Sequence, residues 1–343
     1  MRKKLVKCGG IVFGDGNIHV QSMLKAPPED IQANVRQASR LAEAGCAAVR
    51  VAVPEKKDAA LIFALKKSVK VPIIADIHND YKTALEAVGA GADKIRINPG
   101  NIGGADRVKK IASACKAAGI PIRAGVNSGS LKSGGDAVQS ALESIRLLER
   151  FDFDDIVVSV KSSSVQKTVA DYRKLAELCP YPLHVGVTES GTARIGLIKS
   201  AIGIGSLLCD NIGDTIRVSL TAEPEREVEA AYDILKAAGI RRSGAFRAPS
   251  VEVVSCPACG RTRIDVAFLA RQTEELTRGL GKDIKIAVMG CAVNGPGECG
   301  GADFGITGGD GEGLIYKNGK IVGKVTESEL LPALMEEIKG WQN

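Results

Sequence analysis

Between residue 18 and about residue 240 one pattern recurs eight times, and no other feature restricts the fold as tightly. Short apolar runs, "IHVQSM", "AAVRVAV", "PIIADI", "KIRINPG", "PIRAGVN", "DIVVSVK", "LHVGVT" and "DTIRVSL", alternate with amphipathic stretches such as "DIQANVRQASRLAEAG" and "DYKTALEAVGAG". Strand-length runs of Val, Ile and Ala joined by helices imply parallel strands buried on both faces. Eight such units over this length fit a (β/α)₈ TIM barrel, an α/β fold, better than an open sheet. The preceding "KKLVKCGGIVFG" reads as a small hairpin closing the barrel floor. The barrel is therefore assigned to residues 1–240.

The last barrel helix, "EPEREVEAAYDILKAAG", ends near Gly239, and residues 241–250 read as a linker of small residues with Arg and Pro. Residues 251–343 form a second, smaller α/β domain. It contains "VEVV", a Cys pair, the helix "IDVAFLARQTEELTRGLG" and the strand "IKIAVM". A hairpin follows with Asn318-Gly319 at its tip, the favoured type I′ dipeptide. The final helix opens on Thr326 with Glu329 three residues on, a capping box.

Composition excludes several function classes. Aromatic residues make up 4%, too few for base-stacking nucleic-acid modules, and a net charge of +6 suits an anionic small molecule or an acidic protein better than a DNA groove. No apolar run approaches the ~18 residues of a membrane helix, and the basic start lacks the apolar segment of a secretory signal. Nine cysteines without such a signal point to free thiols in a reducing cytoplasm. Cys8, Cys46, Cys115, Cys179 and Cys209 sit among apolar or small residues and read as buried filler.

In a barrel enzyme the catalytic groups gather where strands end. Those ends carry Arg50, Asp76, His78, Arg96, Asn98, Arg123, Asn127, Lys161, His184, Thr188, Glu189, Arg217 and Ser219. Four Arg and one Lys within apolar strands are costly to bury unpaired. One alone could pair with Asp76 or Glu189, or snorkel outward. Five against two acids leave positive charge for a bound polyanion, most economically a diphosphate in bidentate Arg forks. His184 reads as a satisfied structural residue, and His78 is open between structure and function.

"SCPACGR" supplies Cys256 and Cys259, and "CAVNGPGECG" supplies Cys291, Glu298 and Cys299. A CxxC pair with a distant third Cys suits either zinc or an iron–sulfur cluster. The Gly-rich loop favours a cluster, because it lets backbone amides approach sulfides. Spacing alone leaves both open.

"SCPACGRT" and "AVMGCAVNGPGE", together with "ADIH", "KIRINPGNIG", "GVTE" and "GDTIRVSLT", resemble the 4-hydroxy-3-methylbut-2-enyl diphosphate synthases nearly end to end. These are the reductive iron–sulfur enzymes of the non-mevalonate isoprenoid pathway, here in the short two-domain form. The resemblance implies a [4Fe-4S] cluster on Cys256, Cys259, Cys291 and Glu298, acting on 2-C-methyl-D-erythritol 2,4-cyclodiphosphate in the barrel. It implies a diphosphate clamp of Arg50, Arg96, Arg123, Lys161 and Arg217, with Asn98, Asn127 and Ser219 as hydrogen-bonding partners. Asp76, Thr188 and Glu189 would face the carbon skeleton, with Glu189 as proton donor or orienter. A carboxylate holds iron less firmly than thiolate does, so Glu298 is expected as a displaceable fourth ligand, whereas Cys299 would close the cluster. Two departures stand out: Cys299 replaces a small apolar residue, and "SMLKAPPED" replaces a Thr- and Asn-rich run. Flavodoxin or ferredoxin is the expected electron donor. The family and the linker length together point to a homodimer in which the second domain serves a neighbour's barrel. The rival reading is a non-redox barrel that transfers or binds a diphosphate compound, with structural zinc on the cysteines.

Overall fold

The computed structural model describes residues 3–127, 135–240 and 251–341. The chain divides into two compact units, residues 1–247 and 248–343. The expected linker, 241–250, lies outside the described residues.

In the first unit a hairpin of β1 (Val6–Cys8) and β2 (Ile11–Phe13) precedes eight parallel strands. These are β3 (His19–Met23), β4 (Ala48–Ala52), β5 (Ile73–Asp76), β6 (Lys94–Ile97), β7 (Ile122–Asn127), β8 (Ile156–Lys161), β9 (His184–Val185) and β10 (Thr215–Ile216). Each is followed by a helix: α1 (Ile31–Glu43), α2 (Ala59–Ser68), α3 (Tyr81–Gly89), α4 (Ala105–Ala118), α5 (Ala137–Glu149), α6 (Val165–Leu178), α7 (Ala193–Cys209) and α8 (Pro224–Ala237). Side-chain caps start several of them; Asp30 accepts from Ala33 N–H, Asp80 from Lys82 N–H and Ser164 from Lys167 N–H. The strands pair in the order β8-β7-β6-β5-β4-β3-β10-β9. The barrel closes between β8 and β9 through a single bridge, Val158 with Leu183. The Tyr172 hydroxyl of α6 reinforces this seam, accepting from Val160 N–H (3.2 Å) and donating to the His184 carbonyl (2.5 Å).

Strand register decides which residues share the barrel interior, because side chains alternate faces along a strand. One registered row joins Met23, Arg50, Ile74 and Lys94; the next joins Ala52, Asp76, Arg96, Arg123 and Val157. Asn127 pairs with Lys161, and Thr215 pairs with both His19 and His184. The opposite parity carries Val49, Val51, Ile73, Ala75, Ile95, Ile97, Ala124, Val158 and Val160, all packed in one apolar layer under the helices. Most of the burial energy therefore lies outside the barrel, at roughly 25 cal/mol per Å² of apolar surface. The interior is unusually polar for this architecture, whose centre is ordinarily filled by branched aliphatics. Apolar filling is confined to the floor, where Val6, Cys8, Ile11 and Phe13 of the hairpin meet Ala48, Ile74 and Val157.

The second unit is a five-stranded sheet in sequence order: β11 (Val251–Ser255), β12 (Ile284–Met289), β13 (Phe304–Gly308), β14 (Glu312–Lys317) and β15 (Lys320–Thr326). The first three strands are parallel and the last two antiparallel. α9 (Val266–Thr277) follows the first cysteine pair, the short α10 (Gly295–Gly300) follows Cys291, and α11 (Leu330–Lys339) closes the chain. Asn318 and Gly319 both have positive φ, 49° and 75°, as a type I′ turn requires. The Thr326–Glu329 capping box is formed. The strand β13 was not expected from "FGITG", whose glycines weaken any strand signal. Its glycines serve packing instead: a Cβ on Gly305 would lie 2.5 Å from Cys299 Sγ.

Candidate active site

Among the described residues, six cations share the inward parity of the strands: Arg50, Lys94, Arg96, Arg123, Lys161 and Arg217. Among the described residues, Asp76 is the single carboxylate on an inward strand position. It pairs with Arg50 Nη2 at 2.6 Å and Arg96 Nη1 at 3.2 Å. Burial alone would raise the Asp76 carboxyl, but Arg50, Arg96 and Arg123 outweigh it and bring it down to about 2. Arg123, 1% exposed, has Nε and Nη1 without hydrogen-bond partners. Burial, then repulsion from Arg50 and Arg96, pushes its pKa well down. Lys161 is depressed in the same way, by burial first and then by Arg123 and Arg217. Glycines make room for these long side chains. A Cβ on Gly125 would fall 2.9 Å from Arg96 Nε, and one on Gly186 would fall 3.0 Å from Lys161 Nζ.

The second acid differs from the expectation. Glu189 is exposed, with φ 51°, at the rim before α7, and it neutralises no barrel arginine. Glu227 of α8, 2% exposed, takes that place, with Oε2 3.6 Å from Arg217 Nε. The sequence hid it among the acids of "EPEREVE", where nothing separates a buried first-turn carboxylate from exposed neighbours. Thr188 and Ser219 are half-buried near Glu189, and the Ser219 carbonyl accepts from Ser190 Oγ. Asn98 is buried and accepts from Gly100 N–H at 3.2 Å; Asn127 ends β7 in the row of Lys161. His78 is exposed.

One further expectation is corrected. His184 is fully buried, yet both its ring nitrogens lack hydrogen-bond partners, so it is not a satisfied structural residue. Burial and the surrounding Arg123 and Lys161 hold it neutral. Lys94 opens β6 in "KIRINPG", where nothing in the sequence marks it for burial. Its ammonium is completely buried without a hydrogen-bond partner, 4.2 Å from the centre of the Phe13 ring.

In the second unit, burial sorts the cysteines. Cys256 and Cys291 leave the C-terminal ends of the adjacent strands β11 and β12, and Cys259 lies in the loop between β11 and α9. Gly290 N–H donates to Cys256 Sγ at 3.3 Å, and Arg263 N–H donates to the Gly290 carbonyl at 2.9 Å. Cys259 and Thr262 close a tight turn through Cys259 N–H to Thr262 Oγ1 at 2.9 Å. Backbone N–H groups of Val293 and Asn294, with Arg261, lower the Cys291 thiol. Glu298 is exposed on α10. Close packing fixes that helix, since a Cβ on Gly295 would stand 2.4 Å from Thr307 Cγ2. Cys299 points the other way. It is 0% exposed among Ala287, Met289, Ala302 and Tyr316, and burial pushes its thiol up to about 12. Cys8, Cys46, Cys115 and Cys179 are buried as expected, but Cys209 is exposed. Among the described residues, no group of three or more His, Cys, Asp or Glu is placed to hold a single metal ion.

Family models match both units: the GcpE TIM-barrel domain over residues 3–232 and the GcpE protein C-terminal domain over residues 252–340. The chain belongs to the GcpE family. Two curated relatives carry the name 4-hydroxy-3-methylbut-2-en-1-yl diphosphate synthase (flavodoxin). The one from Ruminiclostridium cellulolyticum is 49% identical over 98% of this chain and 96% of its own length. The one from Caldanaerobacter subterraneus is 50% identical over 99% and 98%. Dihydropteroate synthase of Xanthomonas albilineans is similar in structure, with a TM-score of 0.52 at 17% identity, covering 68% of this chain and 97% of that one. That likeness is one of barrel fold alone. Among the described residues no helix is long and apolar enough to cross a membrane.

The buried ammonium of Lys94 gives this family member a measurable stability signature. Burial lowers its pKa from 10.5 to about 8; Cys8 opposes this in part, and smaller repulsions from Arg123 and Arg50 add to it. The unfolded chain therefore binds that proton more tightly. The resulting destabilisation, about 3 kcal/mol, is complete below pH 8 and fades as pH rises towards 10.5. In phosphate-free buffer, Lys94→Met is expected to raise barrel stability at pH 7 by up to about 3 kcal/mol, with the gain shrinking by pH 10. Urea unfolding followed by circular dichroism measures it. A variant destabilised equally at both pH values would contradict the assignment.

Proposed function

We propose that this chain reductively opens and dehydrates 2-C-methyl-D-erythritol 2,4-cyclodiphosphate to 4-hydroxy-3-methylbut-2-enyl diphosphate, as an iron–sulfur oxidoreductase. The reaction takes up two electrons and two protons and releases one water. Flavodoxin is the proposed donor, in line with the relatives' name, with ferredoxin as the other candidate. The observation that carries the reading is that, among the described residues, six inward cations are offset only by Asp76 and, at Arg217, by Glu227, an arrangement that calls for a polyanion.

In this reading Arg50, Arg96, Arg123, Lys161 and Arg217 neutralise the diphosphate and fix the ring above the interior. Holding the substrate in one pose removes orientational freedom before the bond breaks. Asp76 is already committed to Arg50 and Arg96, so it keeps two guanidinium planes aimed and stays ionised through the neutral range. Asn98, Asn127, Thr188 and Ser219 supply neutral hydrogen bonds at the strand ends. Glu189, exposed at the rim, can exchange a proton with solvent and pass it to the departing hydroxyl.

Cys256, Cys259, Cys291 and Glu298 would hold a [4Fe-4S] cluster. The donor set fits the group: three thiols that are not fully buried, an amide N–H on Cys256 Sγ, and an exposed carboxylate. Cys299 does not fit, because its sulfur faces the Ile306 carbonyl inside the core. When bound, the cluster supplies the two electrons one at a time. Arg261, beside Cys291, would offset part of its negative charge.

A homodimer in the cytoplasm completes the proposal, with each cluster-bearing unit serving the partner's barrel. Supporting it, α7 exposes Ile195, Ile198 and Ile202 on one face, an apolar stripe suited to an interface. Mixing a chain carrying Arg123→Met with one carrying Cys291→Ser is expected to recover activity that neither homodimer has. No recovery in a verified heterodimer would remove cross-subunit catalysis.

Anaerobic iron and sulfide analysis, with turnover of the cyclic diphosphate by reduced flavodoxin, tests the main reading. Four iron and four sulfide per chain are expected, with a brown chromophore lost in Cys256→Ser, Cys259→Ser and Cys291→Ser and retained in Cys299→Ala. A colourless zinc protein, or equal loss in Cys299→Ala, would overturn it.

A further inference from the structure

The loop after β3 departs from the family pattern, and it places a lysine where the sequence offered no role for one. Lys25 Nζ reaches across the barrel mouth to the loop between β10 and α8. It donates to the Leu220 carbonyl at 2.9 Å and to the Ala222 carbonyl, and it stands 3.0 Å from Glu227 Oε1. Glu227 sits in the first turn of α8, behind Pro224, where the helix dipole favours a carboxylate. Three close contacts hold it. Oε1 receives Leu220 N–H at 3.1 Å and the Lys25 ammonium; Oε2 receives Ser22 Oγ–H at 3.1 Å and faces Arg217 Nε at 3.6 Å. The Arg217 Nη1 lies 3.5 Å from Met23 Sδ. Three elements, the end of β3, the end of β10 and the start of α8, thus converge on one carboxylate whose side chain is 1% exposed.

We propose that Glu227 is a positioning residue that aims Arg217 into the barrel, and that Lys25 is the strap that limits how closely Glu227 holds it. The inference rests on the reading of Arg217 as part of the diphosphate clamp. The reasoning is one of competition. An arginine locked in a close, two-pronged pair with a carboxylate has no fork left for a phosphate. Here the pairing is long and one-pronged, because the carboxylate's other contacts hold it back. Removing Lys25 frees Oε1 and lets Glu227 close on Arg217, drawing the guanidinium away from the interior. Removing the charge of Glu227 frees Arg217 altogether, leaving a cation that is nearly buried and no longer aimed.

The test uses the cluster-loaded enzyme and the variants Lys25→Met, Lys25→Arg and Glu227→Gln. Arg217 grips the diphosphate equally in substrate and transition state, so the change belongs in KM and not in kcat. Lys25→Met is expected to raise KM about five- to tenfold at unchanged kcat. Lys25→Arg should restore the parent KM, and Glu227→Gln should raise KM further. Lys25 is one-third exposed, so its replacement keeps the fold even if Glu227→Gln does not. An unchanged KM in Lys25→Met, or a parallel fall of kcat with melting temperature in both variants, would overturn the inference. A parent enzyme that does not turn over the cyclic diphosphate would instead sink the functional reading.

Discussion

Repulsion among like charges inside the barrel is the constraint around which the first unit is built. Arg50, Lys94, Arg96, Arg123, Lys161 and Arg217 share one small interior, and several of their nitrogens have no hydrogen-bond partner among the described residues. Each unpaired cation removed from water costs several kcal/mol. The fold bears this because its apolar layer lies on the other face of every strand, between sheet and helices. Asp76 cancels part of the repulsion by bridging Arg50 and Arg96, and the aromatic face of Phe13 attracts the ammonium of Lys94. The remainder is uncompensated positive charge, which in the proposed function an anion of matching charge would neutralise.

The same division explains how much could be read from the sequence. Eight strands were legible because their outward positions are uniformly apolar, and the inward cations were legible because they interrupt that pattern at the strand ends. What escaped depends on partners distant in sequence. Lys94 opens a strand, where a lysine ordinarily reaches solvent, and only the hairpin beneath it makes it buried. Glu227 looks like any other acid in a helix's first turn until Ser22, Lys25 and Leu220 are seen around it. The Tyr172 seam between β8 and β9 could not be read at all, since it substitutes for a ladder the sequence seemed to supply.

In the second unit, spacing left four candidate thiols and two kinds of metal centre open. Packing separates the thiols. Cys299 faces inward beneath β13, with Gly305 cleared to receive its sulfur, whereas Cys256, Cys259 and Cys291 emerge beyond the strand ends. A strand that the sequence barely announced therefore decides which sulfur is withheld. The adjacent Glu298 is left exposed by the same turn of α10.

The central claim, that the barrel interior is charged in order to hold a diphosphate, is open to one direct measurement. The thermal unfolding of the substrate-free chain can be followed against inorganic diphosphate at constant ionic strength. A ligand that binds only the folded barrel stabilises it, by about 2.7 kcal/mol at a hundred times its dissociation constant, and so raises its melting temperature with concentration. The account predicts a saturable rise that orthophosphate matches only weakly. A melting temperature indifferent to diphosphate would contradict it.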